Sequence, residues 1–190
     1  QRRYRPAPGR QAVLTETRLR THTHLAGYTL ATLFIASLAI QNLRYGFYDL
    51  FFLASVMTLL TLGGAGYTFI CRRHQLSAKG HLLILAGLNG SLIAAMFALS
   101  PPGISHWVMP MVVFNLLILP LRQGLILSLA LLLALGGLLL ATDDLTRTIT
   151  VTTGVFALTS VAALYIWHYG HMAQSAEDLA ITDPVTGAHN

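Results

Sequence analysis

The chain has 190 residues, of which 54% are hydrophobic and only 10% charged. A soluble domain carries about 25% charged residues, so this composition excludes an aqueous globular enzyme for most of the length, as does a mean hydropathy of +0.62. The single cysteine, Cys71, excludes an internal disulfide framework. The formal net charge is +5, which by itself would also suit a nucleic-acid ligand. The chain opens on Gln1 rather than Met and is expected to be a fragment or a processed product.

A bilayer core asks for about 20 mostly apolar residues per helix. Six runs of this kind follow one another: Leu25–Leu43, a long Gly46–Cys71, His81–Leu99, a short His106–Leu121, the Leu-rich Gly124–Thr142 and Thr148–Tyr169. Short polar breaks separate them, and Pro101-Pro102-Gly103 marks a firm turn. The expected fold is all-α: a six-transmembrane helical bundle. Its last helix continues into a short coiled-coil-like linker.

The cations fix the orientation. Six spans place Arg2, Arg3, Arg5, Arg10, Arg18, Arg20, Arg72, Arg73, Lys79 and Arg122 on one side, and only Arg44 and Arg147 on the other. Basic loops stay inside, so both termini are expected in the cytoplasm. Topology then accounts for the positive charge, and no nucleic-acid partner is needed. Tyr45, Phe47, Tyr48, Phe51, Phe52 and Trp107 at the outer boundary, with Tyr165, Trp167 and Tyr169 at the inner one, read as interfacial belts.

Polar residues inside or beside the spans are the candidates for sensing a ligand. Asn89 and Asn115 lie at similar depths, about 12 and 10 Å of helix rise from the same boundary, so an interhelical hydrogen bond or a ligand pocket is expected there. Asp49, Tyr45, Tyr48, His106 and Trp107 offer a second pocket, open to the outer side. His22 and His24 precede the first span, and His168 and His171 end the last, which makes them candidates for haem or a transition metal. Ala86, Gly90 and Ala94 recur every four residues, a small-residue seam for packing within the subunit or between subunits. The Gly63-Gly64-Ala65-Gly66 run is a place where the second span could bend.

Beyond the last span an a/d rhythm runs through Leu158, Val161, Tyr165, His168, Met172, Ser175 and Leu179, the seam of a loose homodimer. The chain then reads Leu179-Ala180-Ile181-Thr182-Asp183-Pro184-Val185-Thr186-Gly187-Ala188-His189-Asn190. Asp183-Pro184 stops the incoming helix, and Thr186-Gly187 is a turn. This segment resembles the entry motif of GGDEF-family diguanylate cyclases, L-A-x-x-D-x-L-T-G-x-x-N-R. Leu179, Ala180, Asp183, Thr186, Gly187 and Asn190 match it, while Val185 stands in place of Leu.

The resemblance implies a cytoplasmic output domain that joins two GTP molecules into cyclic di-GMP with Mg²⁺, across a dimer. It implies no catalytic residue within these 190, because the family's GG[DE]EF turn and metal-binding acids follow the entry motif. The expected organisation is a basic tail (1–24), a membrane sensor (25–170), a signalling helix (171–181) and the start of the output domain (182–190). A small transporter or channel, or a haem-binding membrane protein, is the alternative. A channel or transporter would call for more intramembrane charge than Asp49 or for matched broken helices.

Overall fold

The computed structural model describes residues 8–71, 78–99, 104–142 and 145–181, with side chains described for 20–71, 79–99, 106–141 and 149–168. Everything described is helix or helix-joining turn. The elements are α1 (Pro8–Arg44), α2 (Tyr48–Cys71), α3 (Ala78–Ala94), a π-helical turn (Ala95–Leu99), a 3-10 turn (Ile104–Trp107), α4 (Val108–Ile118), α5 (Leu121–Thr142) and α6 (Leu145–Ile181). Five helices contain stretches long and apolar enough to cross a bilayer: Arg20–Arg44, Tyr48–Cys71, Lys79–Leu99, Leu121–Ala141 and Ile149–His168.

The run expected to be a short fourth span is shorter still. α4 has 11 residues, about 16 Å of helix, against a hydrocarbon core of about 30 Å. Two features at Leu119-Pro120 end it. Leu119 is extended, with φ −96° and ψ 156°, and Pro120 donates no backbone hydrogen bond. The chain then reverses directly into α5. A Cβ on Gly124 would stand 2.9 Å from the carbonyl oxygen of Asn115, so this hairpin closes only with a glycine there. The turn lies at the depth of Tyr28 and Leu85, which pack with Ile118 and Leu119. Arg122, just beyond it, is exposed.

Hydroxyl groups are hidden by back-bonding. Thr29, Thr58, Thr68, Ser91, Thr159 and Ser160 each donate to the carbonyl four residues earlier. This satisfies them where water is absent. The largest buried cluster joins α3, α4, α5 and α6 through residues such as Leu88, Met96, Val112, Leu116, Leu131 and Val155. The outer surface is as apolar as the core: Leu33, Ile70, Leu83 and Leu133 are all exposed. A surface of this kind has lipid as its solvent.

Two sequence expectations about small residues change. Ala86, Gly90 and Ala94 are all exposed, so they form no packing seam within the subunit. The opposite face of α3, with Leu85, Leu88, Asn89 and Leu92, is the buried one. In α2, Gly64 acts as a seat: a Cβ there would overlap the ring of Tyr28, whereas Gly63 and Gly66 face open space. Gly64→Ala should therefore destabilise the bundle by roughly 1–3 kcal/mol through overpacking. Gly63→Ala should be neutral or gain up to about 1 kcal/mol of helix propensity. Thermal unfolding in detergent, followed by circular dichroism, compares them; equal responses would contradict the seat.

Candidate functional site

Three features meet where α1 faces α3 and α4. The first is the asparagine pair. Asn89 Nδ2 donates to Asn115 Oδ1 at 2.8 Å, and Asn115 Nδ2 donates to Asn89 Oδ1 at 3.0 Å. Asn89 Nδ2 also donates to the Leu85 carbonyl at 2.6 Å. Both residues are buried. The amides are consumed by each other and by α3, so of the two expectations for this pair the interhelical bond is the one the structure contains. It clamps short α4 onto α3.

The second feature is an aromatic-imidazole cluster near the Arg20 end. Tyr28 Oη and His81 Nδ1 are 3.0 Å apart, with the direction of donation set by the histidine tautomer. The His24 ring stands edge-on to His81 at 4.8 Å between centroids, and Tyr67 does so at 5.1 Å. Tyr28 also meets Phe114 of α4 edge-on at 5.3 Å. Gly80 leaves room for the Tyr67 ring just as Gly64 does for Tyr28. His24 Nδ1 and His81 Nε2 are buried without a hydrogen-bond partner among the described residues.

Of the histidines expected to hold haem or a metal, the structure buries His24 and leaves His22 and His168 exposed. The side chain of His171 lies outside the described residues. Among the described residues no group of three or more His, Cys, Asp or Glu side chains is placed to hold a metal ion. His81 was not singled out from the sequence. Its signal was weak: it has a histidine's amphipathic character at a span boundary, and only the tertiary fold brings it to His24 and Tyr28.

The third feature is a cavity of about 640 Å³ between α1, α2, α3 and α4. Its floor is Gly27 against Phe114, where a Cβ on the glycine would stand 3.2 Å from the ring. It extends along α1 to Asn42 and along α4 to Trp107. Of the outer pocket expected from the sequence, only Trp107 lines it. Tyr45, Tyr48, Asp49 and His106 are exposed at the Arg44 end. The cavity was not legible in the sequence, because hydropathy marks a span without saying which spans diverge.

The four motif residues Asp183, Thr186, Gly187 and Asn190 lie outside the described residues. The seam on α6 is described in part: Leu158, Val161, Tyr165 and His168 are exposed, and the side chains of Met172, Ser175 and Leu179 lie outside the described residues. Compared with protein-family models, curated proteins and solved structures, the chain matches none.

The asparagine clamp makes a direct test possible. Asn89→Ala and Asn115→Ala should each destabilise the bundle by about 1–2 kcal/mol by orphaning the other amide. The double variant should cost less than the two single losses added together, with a coupling of about 0.6 kcal/mol or more. Urea or SDS unfolding in mixed micelles measures all three; strictly additive losses would contradict the pair.

Proposed function

We propose that the chain is the membrane sensory and dimerisation module of a diguanylate cyclase. In this reading a homodimer sits in the bacterial inner membrane with both termini in the cytoplasm. The bundle receives a signal, and α6 passes it to an output domain that begins at the Asp183–Asn190 motif. That domain would bind one GTP and Mg²⁺ per subunit and make cyclic di-GMP where two subunits face each other. Phosphoryl-transfer chemistry of this type depends on positioning and charge neutralisation, so the distance and rotation between two output domains are natural control variables.

The observation that carries this reading is the length and position of α6. It runs unbroken for 37 residues from Leu145 to Ile181, about 55 Å. Only Ile149–His168 is needed to cross the membrane. The remainder, as described, extends about 20 Å beyond and reaches Ile181, two residues before Asp183, the acidic residue of the motif. α6 also packs against α4 and α5, so a shift of either has a mechanical route out of the bundle. The exposed positions Leu158, Val161 and Tyr165 lie on the proposed seam and suit a second copy.

The test uses the full gene product in a host without its own cyclic di-GMP synthesis. It should accumulate cyclic di-GMP. Inserting two alanines after Ala173 turns the output domain by about 200° and should change output about fivefold or more. Inserting seven residues restores the phase to within about 20° and should leave output near the parent level. No cyclic di-GMP, or output indifferent to the phase of the insertion, would contradict the proposal.

A further inference from the structure

The cavity between α1 and α4 has a polarity gradient that specifies its occupant. It runs from Gly27 to Asn42 along α1, about 22 Å of helix. A volume of about 640 Å³ spread over that length gives a mean section of about 29 Å². Hydrocarbon chains in contact at about 4.5 Å need roughly 20 Å² each. The space therefore has room for an extended hydrocarbon chain along its length.

Among the 21 described lining residues, nitrogen or oxygen side-chain atoms come from Asn42, Thr61 and Trp107 alone. Thr61 lies midway and is already satisfied: it accepts from Thr32 at 2.9 Å and donates to the Thr58 carbonyl at 2.9 Å. The middle of the cavity thus offers a ligand only apolar contact. Asn42 and Trp107 both belong to the Arg44 end, where an amide and an indole N–H provide donors and an acceptor. Among the described residues no Lys, Arg, Asp or Glu lines the cavity, and a charged head would be left uncompensated there. Leu30, Phe34, Val113 and Leu117 line it while remaining exposed, so its side opens towards lipid.

We infer that this cavity is a binding site for a single-chain amphiphile with an uncharged hydrogen-bonding head. The chain enters sideways from the lipid and lies between α1 and α4. The head rests at Asn42 and Trp107, and the tail reaches down to Phe114. Phe114 touches Tyr28, and α4 contacts α6. The occupant therefore presses on the helix that leads both to the Tyr28–His81 pair and to the exit helix. Binding does not depend on the activity of any output domain.

Trp107 is its own reporter once Trp167, the other tryptophan in the chain, is replaced by Phe. The protein in phosphatidylcholine nanodiscs is titrated with a monoacylglycerol carrying bromines on its chain. Quenching of Trp107 should saturate, at a midpoint about tenfold below that of a brominated two-chain phosphatidylcholine. Ala31→Phe and Ala54→Phe fill the cavity from different helices, and either should weaken binding about tenfold. Asn42→Leu should weaken it by loss of the head contact, and lipid-facing Leu133→Phe should not. Quenching that rises without saturation and ignores the filled variants would show bulk lipid only and overturn the site. Saturation by the brominated fatty acid anion but not by the monoacylglycerol would overturn the uncharged head.

Discussion

A primary amide in hydrocarbon has no water to turn to, and Asn89 and Asn115 answer that constraint with each other. Their reciprocal bonds, at 2.8 and 3.0 Å, decide where α4 sits. α4 is too short to be placed by spanning the membrane, and its hairpin to α5 is set by Leu119-Pro120 and Gly124. With its last turn pinned to α3 through Asn115 and the following turn packed on Tyr28 and Leu85, α4 meets α1 closely near Gly27. Towards the Arg44 end the two helices part, and the cavity is the space between them. The amide clamp and the Leu119-Pro120 turn together set the position of α4, and with it one wall of the cavity. Interhelical hydrogen bonds of this kind contribute only about 0.6–1.7 kcal/mol, so the clamp gives register more than stability.

The same logic governs the Arg20 end. Tyr28 fills the gap left by Gly64, bonds to His81 and abuts Phe114, joining α1 to α2, α3 and α4 at one ring. The Tyr28 hydroxyl and His81 Nδ1 are shared with each other rather than solvated. Because each sits between helices, a displacement of α4 is felt by Phe114, by Tyr28 and, on the other side, by α6. In the proposed reading no large motion is needed, because α4 is anchored at one end and contacts α6.

The hydropathy pattern made the long helices legible, because runs near 20 apolar residues suffice to cross a bilayer; the turn expected at Pro101-Pro102-Gly103 lies outside the described residues. The depth arithmetic for Asn89 and Asn115 was also sufficient, because an amide inside a span must find a partner and only similar depth permits one. Neighbour order was not legible. Nothing in the sequence says that α1 diverges from α4, so the cavity and the role of Asn42 escaped, and Trp107 read only as an interfacial anchor or part of an outer pocket. His81 escaped because a histidine at a span edge looks the same whether it faces lipid headgroups or another helix. The small residues of α3 misled for a related reason: Ala86, Gly90 and Ala94 permit close approach but do not compel it, and the larger apolar residues opposite claimed the interior.

If the amide clamp on α4 sets the state of the helix that leads out of the bundle, removing it must reach the output. The measurement that tests this most directly is cyclic di-GMP produced by the full gene product carrying Asn89→Leu and Asn115→Leu together. Replacing both amides by apolar groups leaves neither one orphaned, so the protein is expected to insert and fold. Basal output is expected to shift about fivefold or more. Output equal to the parent's from a folded, membrane-inserted double variant would contradict the clamp's role, as would the absence of cyclic di-GMP from both.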